Sequence, residues 1–525
     1  MTCASLADPF TQTVIQAGFE AAAAEMFDTL RKTAMSPIIY EVLDVGTGVL
    51  DARGALVSSG AGIPGFIGVL DKSVKAILDQ AKGPIESGDV FVLNDPNQGG
   101  VTHLNDVVVA QPVFHQNALV AWVASIAHWG DIGGKTPGSM AVDVTEIFAE
   151  GLRLPPVKLF SHGERNEAVF DIIQTNSRLS DFVQGDLSAQ LAAGRRGAKV
   201  VSGLFVRYDA DTVKAAIAAS FEEGRERAIA GLRNLPKGRF PITAKQDDGA
   251  LWSVAMEITD DAFIVDLSEA PDATASPHNT SRDGALVVCQ MLFKALTDPA
   301  RFANEGSFSP LKVITREGSI FHAGPTDSQG YYFETRIRLF DLLWHAMAEA
   351  MPNELPAGHF ATIFGTVIAG THPETGRKYT LVEPQMGGWG ATADRPGTGP
   401  LFSSSHGDTF NCPAEIAEAR YGLEVVERRL NVAPEPCEGH SGGPGVTLRY
   451  RLTSQAILSA GLSHETEPIW SLTTKPGGRN FLTVFKNGKV PKNYAFVSGL
   501  QLHRGDEIVI ETAFGGASKR RDERK

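Results

Sequence analysis

His103, Asp106, His128 and Asp131 are the residues of this 525-residue chain whose types and spacing best suit chemistry. They fall in two short segments, THLND (Thr102–Asp106) and AHWGDIGG (Ala127–Gly134). Two imidazoles and a carboxylate meeting at the mouth of a loop suit Zn, Mn or Fe with coordination positions left open. Such an ion polarises a carbonyl or lowers the pKa of water. Spacing alone does not establish the site, because histidines near strand ends often only hydrogen-bond the backbone.

The elements around these residues supply a geometric reason for them to meet. The apolar runs Val107–Phe114 and Leu119–Ala127 flank His115–Ala118, a hairpin-like connection. With Gln116 and Asn117 as a two-residue turn, Asp106 faces Ala127 and Asn105 faces His128, facing residues being ~5 Å apart at Cα. His128 then returns beside Asp106. His103 stands three residues earlier, in a segment too rich in glycine to be pure strand, and can curl to the same point. A four-residue turn would shift the register by one and send side chains to the other face. Asp44, in the strand-like YEVLDVGTG, is either turned to solvent or held by a partner such as a metal or a polarised water.

Other segments look less chemical. GDIGGKT (Gly130–Thr136) ends like a phosphate-binding loop, but Trp129 stands where the motif needs glycine and Pro137 follows at once, where a helix should begin. Lys135, Arg153 and Lys158 either steer an anionic group or are surface charges. GGWGA (Gly387–Ala391) and SSSHGDTFNCPAE (Ser403–Glu415) are glycine-dense polar loops that bind ligand or shape an interface. His406 and Asp408 have no evident partner and are read as structural. Cys412 would be a nucleophile only beside a base, and the sequence shows none.

The chain's elements read as α+β, with mixed and antiparallel sheets and surrounding helices in several lobes. Helical spacing covers 9–34 and 64–82, strands follow at Val90–Leu93 and in the hairpin, and 171–232 is mainly helical. A helix near Gly284–Leu296 lies among the strands of 250–320, and 334–351 is amphipathic. Glycine and turn residues dominate from 380 on, with strands at Val446–Leu452, Phe481–Phe485 and Ile508–Thr512. Three regions are expected: a metal-binding 1–240, a middle 241–380 and a mainly β 381–525.

Bulk properties exclude several classes. A net charge of −13 argues against nucleic acid as partner. The basic tail, Lys519, Arg520, Arg521, Arg524 and Lys525, reads as a solvated terminus. Cys3, Cys289, Cys412 and Cys437 form no CxxC pair and no disulfide framework, which suits a reducing compartment. No signal peptide is evident and no run approaches ~20 apolar residues, so a cytoplasmic protein without membrane insertion is expected. A chain this long builds its core without a structural ion, so a metal here would be functional.

At the same residues the sequence resembles the hydantoinase B/oxoprolinase family. The likeness begins at DPFTQTVIQAGFEAAAAEM and runs through Thr33–Pro37, GDVFVLNDPNQGGVTHLNDV, AHWGDIGGKTPGSM, TEIFAEGLRLPPVKL, GGWGA and Gly407–Tyr421. It implies the metal-carrying subunit of an ATP-dependent enzyme. A hydantoinase A-type partner would hold ATP and Mg and phosphorylate the substrate's carbonyl or enol oxygen, within a hetero-oligomer such as (AB)2. By the same resemblance His103, Asp106 and His128 are the metal ligands. Asp44 is a fourth ligand or base, and Asp131 is an outer partner of the metal; these two are the catalytic candidates. The implied reaction is hydrolysis of a hydantoin, oxoproline or lactam, with ketone carboxylation as the alternative and a non-catalytic scaffold as a third reading. Two departures stand out. Many hydrolytic members carry HxPxHxG where this chain reads GAGIPGFIGVL (Gly60–Leu70), and many continue with a longer glycine-rich tail beyond TAFGGASKRR.

Overall fold

The computed structural model describes residues 8–300, 302–407, 409–434 and 439–521. Cys3, Asp408, Cys437, Arg524 and Lys525 lie outside the described residues.

Seven strands make the sheet that carries the candidate residues. They are β1 (Val45–Asp51), β2 (Leu56–Gly62), β3 (Val90–Leu93), β4 (Asp106–His115), β5 (Ala118–His128), β6 (Val157–Ser161) and β7 (Glu164–Arg165). Their spatial order is β2-β1-β5-β4-β3-β6-β7, and every neighbouring pair is antiparallel. The expected β4–β5 hairpin forms. Gln116 and Asn117 adopt positive φ, 49° and 64°, the left-handed pair of a two-residue turn whose twist matches the strands.

The register nevertheless differs from expectation by one residue. His115 pairs with Ala118 and Phe114 with Leu119, as the turn requires, but Val113 pairs with Ala121. Val120 is therefore the extra residue of a β-bulge. Beyond it Asp106 faces His128 rather than Ala127. Side chains alternate along a strand, so without the bulge Asp106 and His128 would point to opposite faces. The bulge puts both on one face at the end of the sheet.

Both faces of this sheet are covered, which is why β4 and β5 read as almost unbroken apolar runs. On one face Val108, Trp122, Ala124 and Ile126 pack with Phe66, Leu70 and Val74 of a helix that is third in chain order. The helices are α1 (Pro9–Thr33), α2 (Pro37–Tyr40), α3 (Pro64–Gln80), α4 (Glu167–Asn176), α5 (Ser180–Arg207), α6 (Ala210–Asn234), α7 (Arg282–Thr297), α8 (Tyr332–Ala350) and α9 (Ala414–Arg420). On the other face α1 and α5 pack through Phe19, Met26 and Ala193 against Val123, and through Leu187 and Leu191 against Val107 and Val109. Each such buried side chain contributes about 1.5–3 kcal/mol. Sharp helix starts keep the packing in register: Asp8 accepts hydrogen bonds from the backbone of Phe10 and Thr11, and Pro9 and Pro64 open α1 and α3.

The second sheet holds β8 (Gly238–Lys245), β9 (Leu251–Ile258), β10 (Phe263–Asp266) and β11 (Leu311–Ile314). Its order is β11-β10-β9-β8, and β10–β11 is its parallel pair. Helix α8 joins this lobe to the first. Leu339, Leu342, Leu343 and Met347 belong to the second core, whereas Tyr332, Phe333 and Ile337 belong to the first.

Two further sheets close the chain. One has β12 (Gly365–Thr371), β13 (Lys378–Glu383), β16 (Ala456–Gly461) and β19 (Phe496–Leu502). The other has β14 (Leu423–Asn431), β15 (Gly445–Leu452), β17 (Phe481–Phe485), β18 (Lys492–Asn493) and β20 (Glu507–Glu511). The GGWGA loop serves close packing here. A Cβ on Gly390 would lie 2.0 Å from the carbonyl oxygen of Ala357, and one on Gly388 2.1 Å from that of Gly443. Separate sheets with flanking helices make the fold α+β. Among the described residues no helix is long and apolar enough to cross a membrane.

Candidate metal centre

Three neighbouring strand ends bring the candidate side chains together. Asp106 opens β4, His128 closes β5, and Asp44 immediately precedes β1. The ladder continues one residue past β1, where the carbonyl of Asp44 accepts from the His128 amide at 3.1 Å. His103 arrives from the preceding loop by a tight turn, in which the Asp106 amide donates to the His103 carbonyl at 3.1 Å. Side chains pin that loop: Asn94 Nδ2 donates to the Leu104 carbonyl at 2.6 Å, and Asn105 Nδ2 to those of Trp129 and Gly138 at 3.0 and 3.1 Å.

The result is a nearly equilateral triangle of donor atoms. His103 Nε2 lies 3.2 Å from His128 Nδ1, and each lies 3.1 Å from Asp106 Oδ1. Asp44 Oδ2 stands 3.9 Å from His128 Nδ1. Bonds of ~2.0–2.2 Å from one ion to three such atoms require edges of roughly this length, so the residues fit a divalent ion. The outer contacts fit as well. His103 Nδ1 meets the Gly330 carbonyl at 3.0 Å, which places the proton on Nδ1 and leaves Nε2 with a free lone pair. Gly330 is itself held by Glu150, whose Oε1 accepts from the amides of Gln329 and Gly330, each at 2.6 Å, and from the Ser328 hydroxyl. The Tyr332 hydroxyl donates to Asp106 Oδ2 at 3.1 Å. A set of two imidazoles and one carboxylate suits Zn, Mn or Fe.

Burial shapes the charges here. It pushes the Asp44 carboxyl up, and the charge on Asp106 pushes it further, well above the usual range. Burial also raises Asp106, but His103 and His128 outweigh it and hold that carboxyl far down. Burial opposes protonation of His103, which Asp106 nevertheless favours, leaving it raised; for His128 burial prevails and its pKa is lowered. Without a cation the buried negative charge thus rests mainly on Asp106, and Asp44 leans towards its neutral form.

A pocket opens over the triangle, with about 50 Å³ of room. That suffices for a few waters or the head of a small ligand. Ile63, Phe66, Met140 and Phe333 line it with apolar surface; Tyr332, Arg336 and His406 add polar groups. Tyr332 and Arg336 were not singled out in the sequence. Their signal was weak: α8 carries Glu334, Arg336 and Asp341 on buried positions, an unusual load for a core helix. His406, structural by its sequence context, lines the pocket; its Nδ1 is buried without a partner, and burial pushes its pKa to about 3.

Other candidates lie elsewhere. The structure does not bring Asp131 to the triangle. Its carboxylate accepts from the amides of Gly133, Gly138 and Arg178 and from the Arg178 guanidinium, so it ties its own loop together. The P-loop-like segment presents carbonyls, not amides: Gly133, Gly134 and Thr136 all accept from Arg178. Lys135, Arg153 and Lys158 each pair with an aspartate, Asp143, Asp95 and Asp89 respectively. Cys412 is buried among β-strand residues, and its thiol is pushed up to about 12, chiefly by burial.

Comparison with known proteins bears on the family and the fold. The family model described as Hydantoinase B/oxoprolinase matches residues 8–518. The caprolactamase subunit beta of Pseudomonas jessenii is 35% identical over 480 residues, covering 86% of this chain and 80% of that protein. The crystal structure of the ATP-dependent caprolactamase from Pseudomonas jessenii superposes with a TM-score of 0.90 at 24% identity, covering 98% of this chain and 91% of that one. Nucleotide-free acetone carboxylase superposes with a TM-score of 0.88 at 15% identity, covering 97% and 75%; both likenesses are of fold. With its sequence matched almost end to end and a fold shared with these enzymes, the chain belongs to the hydantoinase B/oxoprolinase family.

Proposed function

We propose that this chain is the metal-holding subunit of an ATP-dependent hydrolase that opens a cyclic amide of the hydantoin, oxoproline or lactam type. The observation that carries the reading is the buried His103–Asp106–His128 triangle facing an apolar-walled pocket, in a chain 35% identical to a caprolactamase subunit. An amide is inert because attack must break its resonance. Phosphorylation of its oxygen by an ATP-holding partner of the hydantoinase A type removes that resistance before the substrate meets this chain.

His103, Asp106 and His128 would hold Zn, Mn or Fe. When bound, such an ion polarises an oxygen of the substrate and lowers the pKa of water. Asp44 stands beside the triangle with Oδ1 buried and unpartnered: water adds to the activated carbon, Asp44 passes a proton to the nitrogen as the C–N bond breaks, and a second water releases the phosphoryl group as inorganic phosphate. Tyr332 fixes Asp106 through its hydroxyl, and Gly330 fixes His103. Phe66, Phe333 and Ile63 exclude bulk water, which protects an activated amide from attack elsewhere.

The alternative, carboxylation of a ketone, is favoured by one observation. Phe66 lines the pocket in the segment where many hydrolytic members carry histidines. Purified complex with the ATP-holding partner separates the readings. ATP turnover driven by a cyclic amide and indifferent to bicarbonate supports the hydrolase. Turnover that requires a ketone and bicarbonate transfers the proposal to the carboxylase. Full activity from a chain free of transition metal would make this subunit a scaffold and end both.

A further inference from the structure

Arg336 follows Tyr332 by one helical turn on α8, so the two project from one face of the helix. Its side chain lines the pocket over the triangle and is only 2% exposed. The guanidinium carbon lies 5.2 Å from the centre of the Tyr332 ring. One terminal nitrogen donates to the Gly65 carbonyl at 3.3 Å, while Nε is buried without a partner. No carboxylate among the described residues forms an ion pair with it, and the carboxylate whose charge acts on it is Asp106, which Tyr332 bonds.

A buried guanidinium without a counter-ion is costly, because desolvation is not repaid by a close negative charge. The local fold offers it the Gly65 carbonyl and Tyr332, through ring and hydroxyl, but no carboxylate. An anion entering the pocket would supply what is missing. A guanidinium presents its N–H groups as a planar fork that matches two oxygens of one phosphoryl group. We propose that Arg336 forms an oxyanion subsite beside the triangle and receives a phosphoryl group carried by the substrate; this rests on the reading that the substrate arrives phosphorylated. Tyr332 links the two halves of the site, since its hydroxyl orients Asp106 and its ring carries Arg336. The subsite gives the subunit a means of choosing its substrate. An unactivated neutral amide leaves Arg336 unpaired, whereas the activated one satisfies it, so only the partner's product binds well.

The test titrates inorganic phosphate into the full metal-loaded chain by calorimetry, comparing wild type with Arg336→Gln and Arg336→Lys. Arg336→Gln should weaken phosphate binding roughly 10- to 100-fold, the effect of losing a charge-assisted hydrogen bond, with bound metal per chain unchanged. Arg336→Lys should recover part of the loss, because the charge is kept and the fork is not. If Arg336→Gln fails to fold, the lysine variant decides alone, and a wild-type affinity there overturns the proposal. Undetectable phosphate binding by the wild type, equal affinity in the glutamine variant, or displacement of phosphate by equimolar acetate each overturns it as well. A wild-type chain that lacks transition metal but binds phosphate through Arg336 sinks the hydrolase reading and leaves this subsite standing.

Discussion

Replacing Glu150 tests how the triangle is held, although Glu150 touches none of its donor atoms. Its Oε1 accepts from Ser328, Gln329 and Gly330 at once, and the Gly330 carbonyl orients His103. Burial pushes its carboxyl up from 4.5 to about 6, against those three hydrogen bonds. Between these values the folded protein binds a proton that the unfolded chain has released. Stability from this group is therefore full below about pH 4.5, falls as pH rises towards 6, and is lower by about 2 kcal/mol above that. Glu150→Gln keeps the acceptor and discards the charge, so this segment of the pH dependence should vanish. At pH 8 the variant should match or slightly exceed wild type, because its buried Nε2, standing where Oε2 has no partner, offsets part of the gain. Glu150→Ala strands three donors at about 1–3 kcal/mol each. Against the roughly 2 kcal/mol recovered by removing the buried charge, the net loss at pH 8 is about 4 kcal/mol. With Gly330 released, affinity for the ion should fall roughly 10- to 100-fold. Denaturant unfolding at pH 4.5 and pH 8, with metal competition against a chromophoric chelator, reads both effects. A glutamine variant that reproduces the wild-type pH curve refutes the electrostatic argument. An alanine variant that binds metal like wild type refutes the relay from Glu150 to His103.

Two further outcomes follow from the same geometry. His103→Ala and His128→Ala should each remove the ion, measured by elemental analysis, and reduce activity of the complex by more than the 10- to 100-fold typical of losing an outer partner; circular dichroism should show the fold retained, and unfolding would mark the site as structural. Gly390→Ala should cost about 1–3 kcal/mol or more, seen as a lowered thermal midpoint, since its Cβ would meet the Ala357 carbonyl at 2.0 Å.

What the sequence disclosed and what it hid divide along sequence distance. Asp106 and His128 belong to one hairpin, so the turn residues Gln116 and Asn117 were enough to expect them side by side. The register itself was not legible, because Val120 looks like any other apolar strand residue and nothing in its type marks a bulge. That single residue decides whether the two side chains share a face. His103 was within reach for the same local reason, a short turn into β4. Tyr332 and Gly330 were out of reach, since over 200 residues separate them from the Asp106 and His103 side chains they orient, and Arg336 lies on the same distant segment. Only α8, with one end in each of two cores, brings them there. Asp131 shares a segment with His128, but its neighbours Gly133 and Gly138 offer amides that its carboxylate satisfies locally, which spacing alone does not disclose.

The hairpin alone can bring His128 and Asp106 together, but it cannot choose the proton-bearing nitrogen of His103 or fix the second oxygen of Asp106. Those choices come from the Gly330 carbonyl and the Tyr332 hydroxyl, and they are made only when the 328–336 segment is seated against the first sheet. Assembly of the His103–Asp106–His128 triangle is therefore coupled to docking of the second lobe. A change that unseats α8 from the first core should weaken metal binding even with all three ligands intact.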